Sequence, residues 1–231
     1  NRQSVRSFLQ SYAKTRTKKT VLSLITAARS LLSFHGHDPS VLEGHRIDAG
    51  KAEVKKGVWT DSEALRLANA NDAPQWLRDC ITVALYSGLR RQEVGGLVYD
   101  ADKDQLVVEA NRAKTANAVR RVPCHSNARD AAKRIAAIEP KLRLNAITTG
   151  MHDLVDRLGI SRTVIIDGVP KKRDFHALRH TFASKLSSLG VEEAIISRIL
   201  GHAAATITAR YAGKVDPETY RLAIERVTYD D

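Results

Sequence analysis

Cysteine is nearly absent from this 231-residue sequence: Cys80 and Cys124 are the only two, with no C-x-x-C spacing. That excludes a disulfide framework and a cysteine-built zinc site, and it suits a reducing compartment. No run of about 18 apolar residues is present, and the opening Asn1-Arg2-Gln3-Ser4 has no signal-peptide pattern, so a cytoplasmic protein is expected. A glycine-rich phosphate loop ending in Gly-Lys-Ser/Thr is missing, as is an acidic triad suited to two magnesium ions. Chemistry driven by ATP or by paired metals is therefore not expected, and no cofactor is assigned. His35-Gly-His37 lacks a third ligand at short spacing and is not read as a metal site. Methionine occurs once, at Met151, without an initiator, which fits a chain whose front part has been removed.

What is abundant is positive charge. Lys and Arg number 37 against 26 Asp and Glu, a formal net charge of +11, which favours a polyanionic partner. The excess is uneven: residues 1–56 hold 11 basic and 4 acidic side chains. At 43% hydrophobic, the chain can bury one substantial core and a small second one.

From Ser4 to about Phe34 the pattern is helical, with Val21, Leu24, Ile25, Ala28 and Leu32 on one stripe. Lys14, Arg16, Lys18 and Lys19 stand just before that stripe and are the candidate cations for such a polyanion, nucleic acid before membrane. The stretch from Gly36 to Gly57 reads as a linker. The expected division is a helical domain at 1–50, a linker at 51–57 and a second domain at 58–231.

In the second domain Thr60-Asp-Ser-Glu63 forms a capping box ahead of a helix. Further helices are expected over 76–87, 128–138, 151–158, 175–189 and 191–200. Residues 105–110 and 118–122 read as two strands around a polar turn. The fold class is mainly α with a small antiparallel β-sheet.

Three segments carry chemistry. Ser87-Gly-Leu-Arg90-Arg-Gln-Glu93 places an arginine at a helix start, three residues before a carboxylate. His176-Ala-Leu-Arg179-His180 puts His176 and Arg179 on one helix face, while Leu178, Phe182, Leu186 and Leu189 form the inward stripe. In Ile199-Leu-Gly-His202, Gly201 suits the position just past a helix end, so His202 is presented from a turn. Tyr211 follows nine residues later.

Taken in order, these segments resemble tyrosine recombinases of the phage-integrase type: the Gly-Leu-Arg box, the His-x-x-Arg helix, and a Leu-Gly-His turn ahead of a tyrosine. The resemblance carries specific motifs over residues 58–213 and is only compositional over 1–50. It implies a catalytic domain preceded by a helical core-binding domain, clamped together on double-stranded DNA. Arg90, Lys114, His176, Arg179, His202 and the nucleophile Tyr211 would be the catalytic set. On this reading the two arginines hold the phosphate, His176 takes the tyrosine proton, and His202 donates a hydrogen bond to the phosphate. Lys114, on a hairpin that also offers Arg112 and Arg120, protonates the departing 5′ oxygen.

The resemblance further implies a covalent 3′-phosphotyrosyl intermediate without ATP or metal. It also implies a homotetramer on DNA in which the tail, about 214–231, docks on a neighbouring subunit. A type IB-like topoisomerase and a catalytically silent DNA-binding regulator are the rival readings.

Overall fold

The computed structural model describes residues 2–45, 50, 56–110, 119–202 and 216–230. Lys114 and Tyr211 lie outside the described residues. The chain divides into two compact units, Asn1–Lys55 and Lys56–Asp231.

In the first unit the stretch read as helical holds two helices, α1, Arg2–Ala13, and α2, Lys18–Phe34. The break is local chemistry. The Thr17 hydroxyl accepts the Thr20 N–H and restarts the chain as a helix N-cap. Lys14 and Arg16 consequently sit in the connection, and all four candidate cations are exposed. The inward stripe holds, since Val21 and Ile25 are buried with Leu9 and Ala13. A short 3-10 turn at Pro39–Leu42, inside the stretch read as linker, adds Leu42 to this small core.

The second unit is built around one helix. It contains α3 (Asp61–Ala68), α4 (Gln75–Ser87), α5 (Arg91–Gly95), α6 (Arg129–Ala136), α7 (Leu144–Arg157), α8 (Phe175–Ser188), α9 (Glu193–Leu200) and α10 (Pro217–Glu225). Helix α4 is apolar nearly all round, burying Leu77, Cys80, Ile81, Val83, Ala84 and Leu85, as a central helix must. It packs against α3, α6 and α8. The Thr60 capping box forms as expected, with Thr60 Oγ1 accepting from Glu63 N and Glu63 Oε2 from Thr60 N.

A three-stranded antiparallel sheet runs β1 (Val98–Asp100), β2 (Gln105–Val108), β3 (Arg120–Pro123), with Leu106 opposite Val122. Sequence reading finds β2 and β3 but not the three-residue β1. A second hairpin, β4 (Thr163–Ile166) and β5 (Val169–Lys172), was also not expected. Its turn, Asp167-Gly168, has positive φ at both residues, the two-residue hairpin geometry. Both cysteines are buried, and burial pushes each thiol up to about 12, so neither is reactive.

The C-terminal tail is seated on its own chain. Ile224 and Val227 are fully buried, Tyr229 Oη donates to Leu85 O at 2.7 Å, and His125 Nε2 meets Val227 O at 3.0 Å. The expectation that this tail docks on a neighbour thus meets residues 217–229 already packed in cis.

Candidate active site

Two left-handed glycines shape the site. At the end of α4, Gly88 has φ +64°, and a Cβ there would lie 2.6 Å from both Leu200 Cδ2 and Phe182 Cδ1. Only glycine turns the chain so tightly at that point. Leu89 is then buried and Arg90 becomes the N-cap residue of α5. Its backbone N–H donates to Glu93 Oε2 at 2.8 Å, and its Nη1 donates to Oε1 at 2.9 Å. Arg90 and Glu93, three residues apart, are therefore paired, and the Glu93 side chain is only 1% exposed.

Glu93 has a second partner that the motif did not announce. Arg120, from β3, donates Nη1 to Oε1 and Nη2 to Oε2, each at 3.1 Å. Burial alone would raise the Glu93 pKa, but the bonds and charge of Arg120 and the donors of Arg90 outweigh it and hold the carboxyl below its ordinary range.

The second glycine closes α9. Gly201, at φ +69°, donates to Arg198 O at 3.0 Å and His202 N donates to Ser197 O at 2.9 Å, the paired bonds of a Schellman end. The turn presents His202 as expected. Helix α8 starts at Asp174, whose carboxylate accepts the His176 N–H at 3.0 Å and pairs with Lys56. One turn in, Arg179 is buried at 3% exposure. It donates Nη1 to Gly88 O at 2.8 Å, Nη2 to Leu200 O at 2.7 Å, and Nη2 to His202 Nε2 at 2.9 Å. Two of its five N–H groups take no hydrogen bond among the described residues.

The structure thus brings Arg90, Arg179 and His202 around the Gly88 and Gly201 turns. Arg90 and His176 line one cavity of about 380 Å³, with Arg91, Thr148, His152 and Asp174. His202 lines a neighbouring cavity of about 340 Å³ with Arg120, Gly201 and Tyr220. In sequence, the stretch with Tyr211 follows His202 and the stretch with Lys114 precedes β3; both residues lie outside the described ones. Of the remaining tyrosines, Tyr99 and Tyr229 spend their hydroxyls on Asp104 and Leu85 O, and burial raises both, Tyr99 to about 12.

Electrostatically the site is short of negative charge. Arg90 and Arg120 pair with Glu93 and Arg179 lies within its field, while Asp174, which lines the first cavity, is paired with Lys56. Burial, followed by Arg90 and Arg120, pushes Arg179 down to about 9. Burial, followed by His180 and Arg179, pushes His176 down to about 4, so its imidazole is neutral at physiological pH. Burial and the same arginines also lower His202. Accepting at Nε2 leaves the proton of neutral His202 on Nδ1. The arrangement is a fixed cationic seat for an anion with neutral imidazoles beside it.

Arg120 was within reach of sequence reasoning. In Arg120-Arg-Val-Pro123, strand alternation puts Arg120 on the face of buried Val122 and Arg121 on the other. Their side chains are 9% and 51% exposed.

The sequence profile of the phage integrase family matches residues 58–217. A XerC-like tyrosine recombinase of Caldanaerobacter subterraneus subsp. tengcongensis is 28% identical, over 76% of this chain and 54% of that protein. The tyrosine recombinase XerC of Thermodesulfovibrio yellowstonii is 26% identical, over 90% of this chain and 75% of its own length. Among solved structures, the Tn1549 transposon integrase in complex with transposon right end DNA superimposes with a TM-score of 0.65 at 19% identity, covering 98% of this chain and 85% of that one. The last is a likeness of fold. The chain spans about half the length of the first of these relatives. Since the matched region starts just ahead of the Thr60 cap and runs past Arg90, His176, Arg179, His202 and Tyr211, the chain belongs to the phage integrase family.

Proposed function

We propose that this chain is the catalytic part of a site-specific DNA recombinase, which cuts and rejoins double-stranded DNA through a covalent 3′-phosphotyrosyl link to Tyr211. The observation that carries the reading is the buried Arg179, anchored by three hydrogen bonds yet keeping donors free beside Arg90. A phosphodiester supplies the negative charge this seat lacks, and fixed guanidinium donors stabilise it as charge redistributes. Arg90 and Arg179 contact the non-bridging oxygens. His176, neutral, takes the Tyr211 proton as the phenolic oxygen bonds to phosphorus. The bond from phosphorus to the 5′ oxygen breaks, and Lys114 gives that oxygen its proton. His202 donates from Nδ1. Rejoining reverses the steps, so the phosphodiester energy is retained in the link and ATP is not consumed.

Lys14, Arg16, Lys18 and Lys19 serve the duplex backbone, in a first unit where Lys18, Lys19, Ser23 and Thr26 line a shallow face of α2. The reading places the protein on cytoplasmic DNA. The active form is a homotetramer, and exchange of the tail between subunits requires the contacts of Val227 and Tyr229 to open first.

The test is incubation in EDTA with supercoiled plasmid carrying DNA that flanks the chain's own gene, followed by a search for SDS-resistant protein–DNA adducts. Wild type forms them and Tyr211→Phe does not. Adducts that persist in Tyr211→Phe would sink the assignment of the nucleophile. Strand exchange between two sites then separates a recombinase from a topoisomerase.

A further inference from the structure

We infer that Arg120 is a positioning residue of this site, a three-point brace that fixes Glu93, and through it Arg90, while holding the end of α9 from which His202 is presented. The inference rests on the cleavage reading above and deepens it. Arg120 Nη1 and Nη2 take both oxygens of Glu93 at 3.1 Å, and Nε donates to Ile199 O at 2.7 Å. Ile199 O is one of the last carbonyls of α9, a group without an intrahelical partner. The next such carbonyl, Leu200 O, is taken by Arg179. Two guanidinium groups therefore cap the negative end of the same helix, and the residue leaving that end is His202.

The packing is equally specific. A Cβ on Gly201 would stand 2.8 Å from Arg120 Nη1 and 3.0 Å from its Cδ. The turn carrying His202 thus lies directly on the guanidinium, and glycine is needed there both for its left-handed φ and for this approach. Glu93 receives four donors, two from Arg90 and two from Arg120. Without Arg120, a carboxylate that is 1% exposed keeps half its partners, and the Arg90 guanidinium loses its fixed reference. Arg120 opens β3, directly after the segment that carries Lys114, so the brace also ties the strand leading from the proposed general acid to the phosphate clamp. A lysine cannot replace it. An ammonium is one point charge without the fork that reaches two carboxylate oxygens and a carbonyl together. Arg121, one residue on, points outward to Asp100 and provides the internal control.

The experiment compares wild type, Arg120→Lys, Arg120→Ala and Arg121→Ala. It reads plasmid affinity, single-turnover adduct formation at saturating protein, and the His202 ring titration by NMR without DNA. Arg120→Lys is expected to bind plasmid as wild type does and to form adduct roughly tenfold to a hundredfold more slowly, the cost of a small misplacement of reacting groups. Arg120→Ala is slower still, and added guanidinium ion restores part of its rate. Because the Arg120 charge helps to lower His202, the His202 titration moves to higher pH in Arg120→Ala, which removes that charge, and less in Arg120→Lys, which keeps it. Arg121→Ala stays at the wild-type rate.

Wild-type speed in Arg120→Lys, or an equal loss in Arg121→Ala, overturns the brace. An unmoved His202 titration in Arg120→Ala also does so, whatever the activity. Absence of adduct in wild type instead defeats the cleavage reading, and the His202 titration then decides the brace alone.

Discussion

The two units of this chain use positive charge in opposite ways. Lys14, Arg16, Lys18 and Lys19 of the first unit are exposed, where water and salt screen them beyond about 8–10 Å. Arg120 and Arg179 of the second are 9% and 3% exposed and hydrogen-bonded into the backbone at Ile199, Gly88 and Leu200. Exposed cations cost little to keep and attract any polyanion. Buried cations cost several kcal/mol each in lost hydration, and here one carboxylate offsets only part of that cost. Surface charge announces a class of partner, whereas buried and braced charge marks where on that partner the chemistry falls.

The sharpest test of that contrast is the second unit's clamp. Arg179→Lys keeps the charge and loses the fork, so single-turnover adduct formation should fall by roughly 10²–10³-fold while plasmid affinity changes little. If affinity and rate fall in step, the buried arginine is merely another binding cation and the distinction between the units collapses.

A smaller effect, of the opposite kind, is expected from Lys18→Ala with Lys19→Ala. Each phosphate contact contributes about 0.9 to the slope of log affinity against log salt. The double variant should flatten that slope by about 2 and leave the rate at saturating protein within about twofold of wild type. A lower rate at saturation would mean that the first unit helps to place the scissile phosphate and does not only recruit DNA.

The same contrast explains what the sequence made legible. Local rules sufficed where one segment decides its own geometry: the Thr60 cap, the Gly201 helix end, and the shared face of His176 and Arg179 all formed as read. The inward stripe of Leu178, Phe182 and Leu186 did too. Reading failed where a short polar signal competed with strong periodicity. The helical pattern over 4–34 does not mark the division that Thr17 makes, and the Asp167-Gly168 turn folds a hairpin out of a segment with no clear alternation. It failed again where the information is long-range. That Arg120 meets Glu93, 27 residues away, and caps a helix 79 residues on is set by packing and not by spacing. The assignments of Lys114 and Tyr211 rest on resemblance, since both fall outside the described residues.

Acid stability gives the smallest expected effect and places it in the second unit. Burial lowers His176 to about 4 and also lowers His125, His180 and His202. In the unfolded chain these rings titrate near 6.5. Between 6.5 and 4 the unfolded state therefore binds more protons, and stability falls as pH falls through that window; above it the contribution is intact, and below 4 His176 adds no further loss. Allowing for the partial solvent exposure of the ring, His176 contributes about 1–2 kcal/mol to the decline. Urea unfolding at pH 7, 5.5 and 4.5 should show the midpoint dropping at constant slope, and His176→Gln should recover part of the drop. Glu93 and Asp174, both held low by their cationic partners, fail only at more acid pH, so they do not blur this window. If His176→Gln leaves the pH dependence untouched, the ring is not desolvated in solution, and its neutrality as the proposed base for Tyr211 loses its physical ground.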